Sequence, residues 1–182
     1  MDNTSLISSK SLQMIYKSNI FIILIILLSF YLHLTVLFQL ADNSPYFFNI
    51  QRQTEQGHYI NSAEGLLNGT WPQNTPFSLS PYYSYYLAST FLIHQDHFMP
   101  RLFQILLGIL TVVFTYKIGC VVFGSSVGLG SALAIALYGP LIFYDLEYTV
   151  VAHMTVFIMG ALYCTLAYRR NQHRRTVFAI GF

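Results

Sequence analysis

SNIFIILIILLSFYLHLTVLFQLA, residues 18–41, runs without a single Asp, Glu, Lys or Arg. A helix crossing a hydrocarbon core of ~30 Å needs ~20 apolar residues, so this stretch reads as a membrane span at 19–40. Its apolar run is longer than the roughly 7–15 residues of a signal-peptide core, and no small-x-small cleavage site follows it, so a retained signal anchor is expected. Charge is absent again over two runs of comparable length, 118–144 and 148–168. Another apolar run starts at Arg101 and ends near Phe123, with Lys117 placed to snorkel from its far end. The expected architecture is an all-α membrane protein with about four transmembrane helices, at 19–40, 101–122, 125–144 and 149–168.

Composition agrees. Of 182 residues, 54% are hydrophobic and 9% charged, with a mean hydropathy of +0.51. Soluble domains carry roughly 25% charged residues, and a chain this poor in charge would face water with large apolar patches. The net charge of +2 comes without any Lys/Arg stripe threaded by aromatics, which excludes nucleic acid as a partner. Cys120 and Cys164 sit in apolar segments at no metal-ligand spacing, and read as packed thiols.

The basic residues set the orientation. Lys10 and Lys17 precede the first span, within the N-terminal segment 1–18, and Arg169, Arg170, Arg174 and Arg175 follow the fourth, within 169–182. Four crossings put both groups on one side, which the positive-inside rule makes the cytoplasm. The membrane is then the plasma (inner) membrane of a bacterium or the endoplasmic reticulum of a eukaryote. The tail TVFAIGF, 176–182, reads either as a segment on the inner surface or as the opening of a fifth span of a longer protein.

The outer loop, 41–100, is too long for a connection without a task. Tyr59, Ala63, Leu66 and Leu67 recur in it at helical spacing, and Asn68-Gly69 would stop that helix. PYYSYYLASTFLI, 81–93, is apolar but too short to cross a bilayer. It is expected to lie at the interface or re-enter, with Ser80 as N-cap and Pro81 in the first turn. Two short interfacial helices are therefore expected, joined by the loop 69–80.

Carboxylates gather on this outer side: Asp42, Glu55, Glu64, Asp96, Asp145 and Glu147. Asp42 and Glu55 read as solvated loop acids or, if an acceptor hydroxyl is to be activated, as a general base. Asp145 and Glu147 read as a wet hairpin or as the lining of a polar cleft shared with the loop. His94, Asp96 and His97 read as ordinary interfacial residues, with a divalent metal as the alternative that their spacing alone suggests, and no metal ligand is expected. His33 and His153, inside spans, are expected to bond between helices. Asn68-Gly69-Thr70 is an N-glycosylation sequon if the host is a eukaryote.

An ordered series of motifs runs from Glu55 to Arg170. It comprises Tyr59, Ala63, Leu66, Gly69 and Trp71; Pro76-Phe77, Pro81, Tyr83, Tyr85 and Leu87; Arg101, Gln104 and Leu106-Leu107-Gly108; Leu110-Thr111-Val112, Tyr116, Gly119 and Phe123-Gly124; and Tyr138, Pro140-Leu141-Ile142-Phe143-Tyr144, Asp145 and Glu147. In this order they resemble the N-terminal part of the GT-C polytopic membrane glycosyltransferases. The branch resembled includes the dolichyl-phosphate-mannose–protein mannosyltransferases and the aminoarabinose–lipid A transferases.

The resemblance implies an inverting transferase that moves a sugar from a polyprenyl-phosphate carrier to an acceptor at the outer face. The lipid-linked sugar is then a substrate, and no resident cofactor is implied. Glu55 stands where the family has its proposed catalytic Asp, His58 where an Arg precedes the loop Tyr59, and Thr75 where an acid precedes Pro-Phe. The substrate-binding residues expected are Asp145, Glu147, Arg101, His58 and Tyr59, with Arg101 either anchoring its helix at the interface or holding a phosphate. Membrane lipids, the carrier-linked sugar and an acceptor are the expected partners, with further spans or a partner subunit beside them. The alternatives are a non-catalytic relative that only packs against partners, and a small transporter, for which Gly139-Pro140 offers a single helix break.

Cysteines introduced at Ser62 and Asn171 are expected to react with a membrane-impermeant thiol reagent from opposite faces. Labelling of both from one face would reject the four-span topology.

Overall fold

The structure, a computed structural model, describes residues 3–70 and 79–171. The expectations that involve Trp71, Thr75, Pro76, Phe77, Arg174, Arg175 and the run 176–182 lie outside the described residues, as do the side chains of Lys10, Lys17 and Arg170. The described residues form seven helices: α1 (Asn3–Asn43), α2 (Glu55–Leu67), α3 (Pro81–Ile93), α4 (Phe98–Val122), α5 (Ser125–Ala136), α6 (Gly139–Leu146) and α7 (Val151–Asn171). Asn19–Asn43, Phe98–Val122 and Val151–Arg169 are each long and apolar enough to cross a membrane, and the bent pair α5 and α6 makes a fourth crossing if taken as one span. This is an all-α, multi-pass membrane protein. Phe21, Leu24 and Leu27 are each more than half exposed, an arrangement that suits lipid as the solvent.

The third apolar stretch departs from the continuous helix expected over 125–144. Pro140 is the physical reason: it has no N–H to donate, and its ring collides with the carbonyl four residues back. The helix ends at Ala136, and a new one starts at Gly139.

By their internal contacts the residues fall into two units, Met1–Tyr31 with Ile109–Tyr138 and Phe157–Phe182, and Leu32–Gly108 with Gly139–Val156. In the first, Ile25, Val112, Ala132 and Ala136 form the buried core. α4 and α5 approach closely within it. A Cβ on Gly119 would stand 2.6 Å from the Cα of Gly128, and one on Gly128 would stand 2.6 Å from the Cys120 sulfur. The Lys117 ammonium lies over the Tyr163 ring at 5.2 Å.

In the second unit, Tyr59, Ile60 and Ala63 of α2 pack on Tyr83, Leu87, Ala88 and Phe91 of α3, with Tyr148 closing the cluster. Tyr59 meets Tyr83 edge-on at 4.7 Å. The Thr54 hydroxyl caps α2 by accepting from the Gly57 N–H at 3.2 Å. Asn68 ends that helix, and Gly69 follows at φ +69°, the left-handed conformation that glycine adopts at least cost. α3 begins at Pro81 as expected, although Ser80 makes no side-chain cap bond. The Arg52 guanidinium binds both Glu64 oxygens, at 2.7 and 3.1 Å, and ties the chain before α2 to that helix. Both groups are exposed, so the pair contributes no more than about 1 kcal/mol.

Gly128→Ala is expected to cost about 1–3 kcal/mol, because backbone and a sulfur must move to admit the methyl group. Gly130→Ala, which meets open space, is expected to be neutral or slightly stabilising. Thermal unfolding of the two variants in detergent compares them directly.

Candidate functional site

Two polar side chains of α4, Arg101 and Gln104, are buried at 3% and 0% exposure. Spaced by three residues, they share a helix face, and both reach the backbone of the turn between α6 and α7. The Arg101 Nε donates to the Leu146 carbonyl at 2.9 Å. The Gln104 amide donates to the Glu147 carbonyl at 3.0 Å and lies 3.5 Å from that of Thr149, while its oxygen accepts from the Tyr83 hydroxyl at 3.2 Å. The turn is thus held by its carbonyls.

Arg101 is also clamped between rings. Its guanidinium carbon stands 4.0 Å from the centre of the Phe47 ring and 4.2 Å from that of Tyr148. Nη1 donates to the His97 carbonyl at 2.8 Å and to the Tyr148 hydroxyl at 3.3 Å. Among the described residues no carboxylate forms an ion pair with it.

Arg101 and Phe47 also line a cavity of about 490 Å³. Leu40, Ser44, Phe47, Ile50, Thr54 and Gln56 form one wall; Arg101, Tyr144, Leu146, Glu147 and Thr149 form the other. Glu147 is half-buried, and its Oε2 accepts from the Gln56 side-chain amide. Burial pushes its carboxyl above the ordinary glutamate range, with the Arg101 charge and the Gln56 bond acting in the opposite direction. Thr149 has a buried hydroxyl with no hydrogen-bond partner among the described residues. The arrangement offers a cation held in an aromatic sandwich, one carboxylate of raised basicity and an unused hydroxyl, on walls that are otherwise largely apolar.

The residues singled out by sequence fall in different places. Arg101 and Glu147 line the cavity together. Glu55 is exposed at the first position of α2, His58 is exposed one turn on, and neither belongs to the cavity wall. Tyr59 lies in the α2–α3 core, where burial and the nearby Glu55 charge raise its phenol. Asp145 is not part of the cavity wall and is 1% exposed; its Oδ2 lies 3.2 Å from the His33 Nε2. Gly108 makes room for that pair, since a Cβ there would overlap the Asp145 carboxylate and stand 3.0 Å from the His33 ring nitrogen. Asp42 is exposed at the end of α1.

The histidines have separate surroundings. Asp96 Oδ1 accepts the Phe98 and Met99 N–H groups at 3.0 and 2.7 Å and so caps α4. His97 Nδ1 is 3.1 Å from the Tyr148 hydroxyl. Among the described residues no group of three or more His, Cys, Asp or Glu side chains is placed to hold a metal ion. His153 is ringed by Tyr82, Tyr83 and Tyr86, and its buried Nδ1 has no hydrogen-bond partner among the described residues.

Sequence reasoning passed over the roles of Phe47, Gln56, Gln104 and Thr149. Gln104 carried a usable signal: an amide three residues after an Arg, inside an apolar run, needs a buried partner. Compared with protein-family models, curated proteins and solved structures, the chain matches none.

Gln104→Leu leaves the Tyr83 hydroxyl buried without its acceptor and removes one of two donors from the Glu147 carbonyl, which keeps the Thr149 N–H at 2.8 Å. The expected cost is about 1–3 kcal/mol, that of one unsatisfied buried group. A lowered melting temperature in detergent, with faster amide exchange over 146–149, is the outcome to look for.

Proposed function

We propose that the chain is a membrane-embedded glycosyltransferase module that moves a sugar from a polyprenyl-phosphate carrier to a hydroxyl acceptor at the outer face. The cavity carries this reading: it sets the cationic Arg101 and the carboxylate Glu147 in one pocket, without an ion pair between them. A glycosyl phosphate and a hydroxyl nucleophile need such a pair of groups. The cation neutralises the phosphate that departs, and the carboxylate accepts the proton that the nucleophile loses.

The depth of the pocket is suited to a lipid-borne donor. Its lining draws on Leu40 near the end of α1, Arg101 in the first turn of α4 and Tyr144 near the end of α6. Those positions mark the ends of apolar helices, where a carrier's headgroup sits while its chain stays in the bilayer. The sandwich of Phe47 and Tyr148 keeps water from the guanidinium and so strengthens its attraction for an anion. The motif series that resembles GT-C transferases gives separate support, with Arg101, Gln104 and Glu147 all among its members.

The full chain, reconstituted in liposomes with an added alcohol as hydroxyl acceptor, is expected to move the sugar of labelled polyprenyl-phosphate mannose, the probe donor, onto that hydroxyl or onto water and to release polyprenyl phosphate. Polyprenyl phosphate, unlike free polyprenol, is expected to raise its melting temperature, as a ligand of the folded state must. A chain that neither consumes the donor nor distinguishes the two lipids is not a transferase of this kind.

A further inference from the structure

We infer that Glu147, and not the loop acid Glu55, is the general base of the sugar transfer proposed above, on which this inference rests. A general base must reach the proton it removes, and Glu147 is the carboxylate in the wall of the cavity. Its backbone is pinned by Gln104, and one carboxylate oxygen is held by Gln56. The other oxygen accepts no hydrogen bond among the described residues and is left for a ligand. Glu55 lies open to solvent at the head of α2, between two residues that do line the cavity, Thr54 and Gln56.

In the step assigned, the Glu147 carboxylate takes the proton of the acceptor hydroxyl. The acceptor oxygen's electron pair forms a bond to the anomeric carbon, and the bond from that carbon to the phosphate oxygen breaks. The bonding pair leaves with the lipid phosphate, whose charge is met by Arg101. No oxidant, reductant or further reactant is required. The titratable groups around Glu147 are Arg101 on α4, Tyr46 before α2, and Tyr144 and Tyr148 on either side of it in sequence. Burial pushes the Tyr148 phenol above its ordinary range, and the carboxyl of Glu147 sets the rising limb of the pH profile. Burial places that limb above the ordinary glutamate range.

The test uses the full chain in liposomes with polyprenyl-phosphate mannose as the probe. Glu147→Gln is expected to lower turnover by about 10²–10⁴-fold and to lose the limb on which the wild-type rate climbs with pH. Glu147→Ala is expected to recover at least about tenfold on addition of formate, a small carboxylate that the cavity admits. Recovery of this kind separates a base from a residue that only supports the fold. If Glu147→Gln keeps its rate within tenfold of a wild type that does turn over, or if Glu55→Gln is the more damaging change, the assignment falls while the transferase reading stands. A wild type inert to the donor removes both.

Discussion

The 146–149 turn is held through its carbonyl oxygens by two side chains on one face of α4. The arrangement follows from a simple constraint. Carbonyl groups at the end of an apolar helix have lost their helical partners and have little water to turn to. Arg101 supplies the missing donor to Leu146, and Gln104 adds a second donor to the Glu147 carbonyl beside the Thr149 N–H. Each such bond contributes only about 1 kcal/mol net, but leaving its partner unpaired costs more, so the turn has little freedom to shift. The flat guanidinium is what allows Arg101 to donate along its edge while Phe47 and Tyr148 cover its faces. A lysine ammonium could do neither.

With its backbone fixed, the turn decides where its side chains go. Tyr148 drops into the α2–α3 core, Glu147 and Thr149 belong to the cavity wall, and Asp145, two residues before Glu147, pairs with His33. One short segment thus couples the packing of α2 and α3 to the position of a carboxylate. The outer loop contributes in the same way, since Phe47 and Gln56 come from the chain between α1 and the first turn of α2 and touch Arg101 and Glu147. In the sugar-transfer reading, the loop and the turn are two sides of one pocket, and neither makes it alone.

Much of the fold was legible because the membrane simplifies the code. Long apolar runs point to the helices that can cross a membrane, Asn19–Asn43, Phe98–Val122 and Val151–Arg169, although α1 itself begins at Asn3, and the spacing of Tyr59, Ala63 and Leu66 points to α2. Pro140 marks a break, yet hydropathy runs through it, and the expected single helix over 125–144 is two. The candidate site was less legible. Asp145 and Glu147 are nearly adjacent and look alike in sequence, whereas their side chains have different partners. Glu55 stands out through resemblance to a family motif, and its exposure depends on how the first turn of α2 is set, which no local pattern encodes. Gln56, one residue on, looks like ordinary loop polarity.

Gly108 and the pair it shelters bear on how the sequence can drift. His33, Gly108 and Asp145 come from α1, α4 and α6, and they occupy a space in which any side chain at 108 would collide with the acid. The three positions are therefore sterically coupled: replacing the acid with a smaller apolar residue would release the glycine to become alanine, and gaining bulk at 108 first would require loss of the carboxylate. Aligned relatives should show the two kinds of triplet and few mixtures of them.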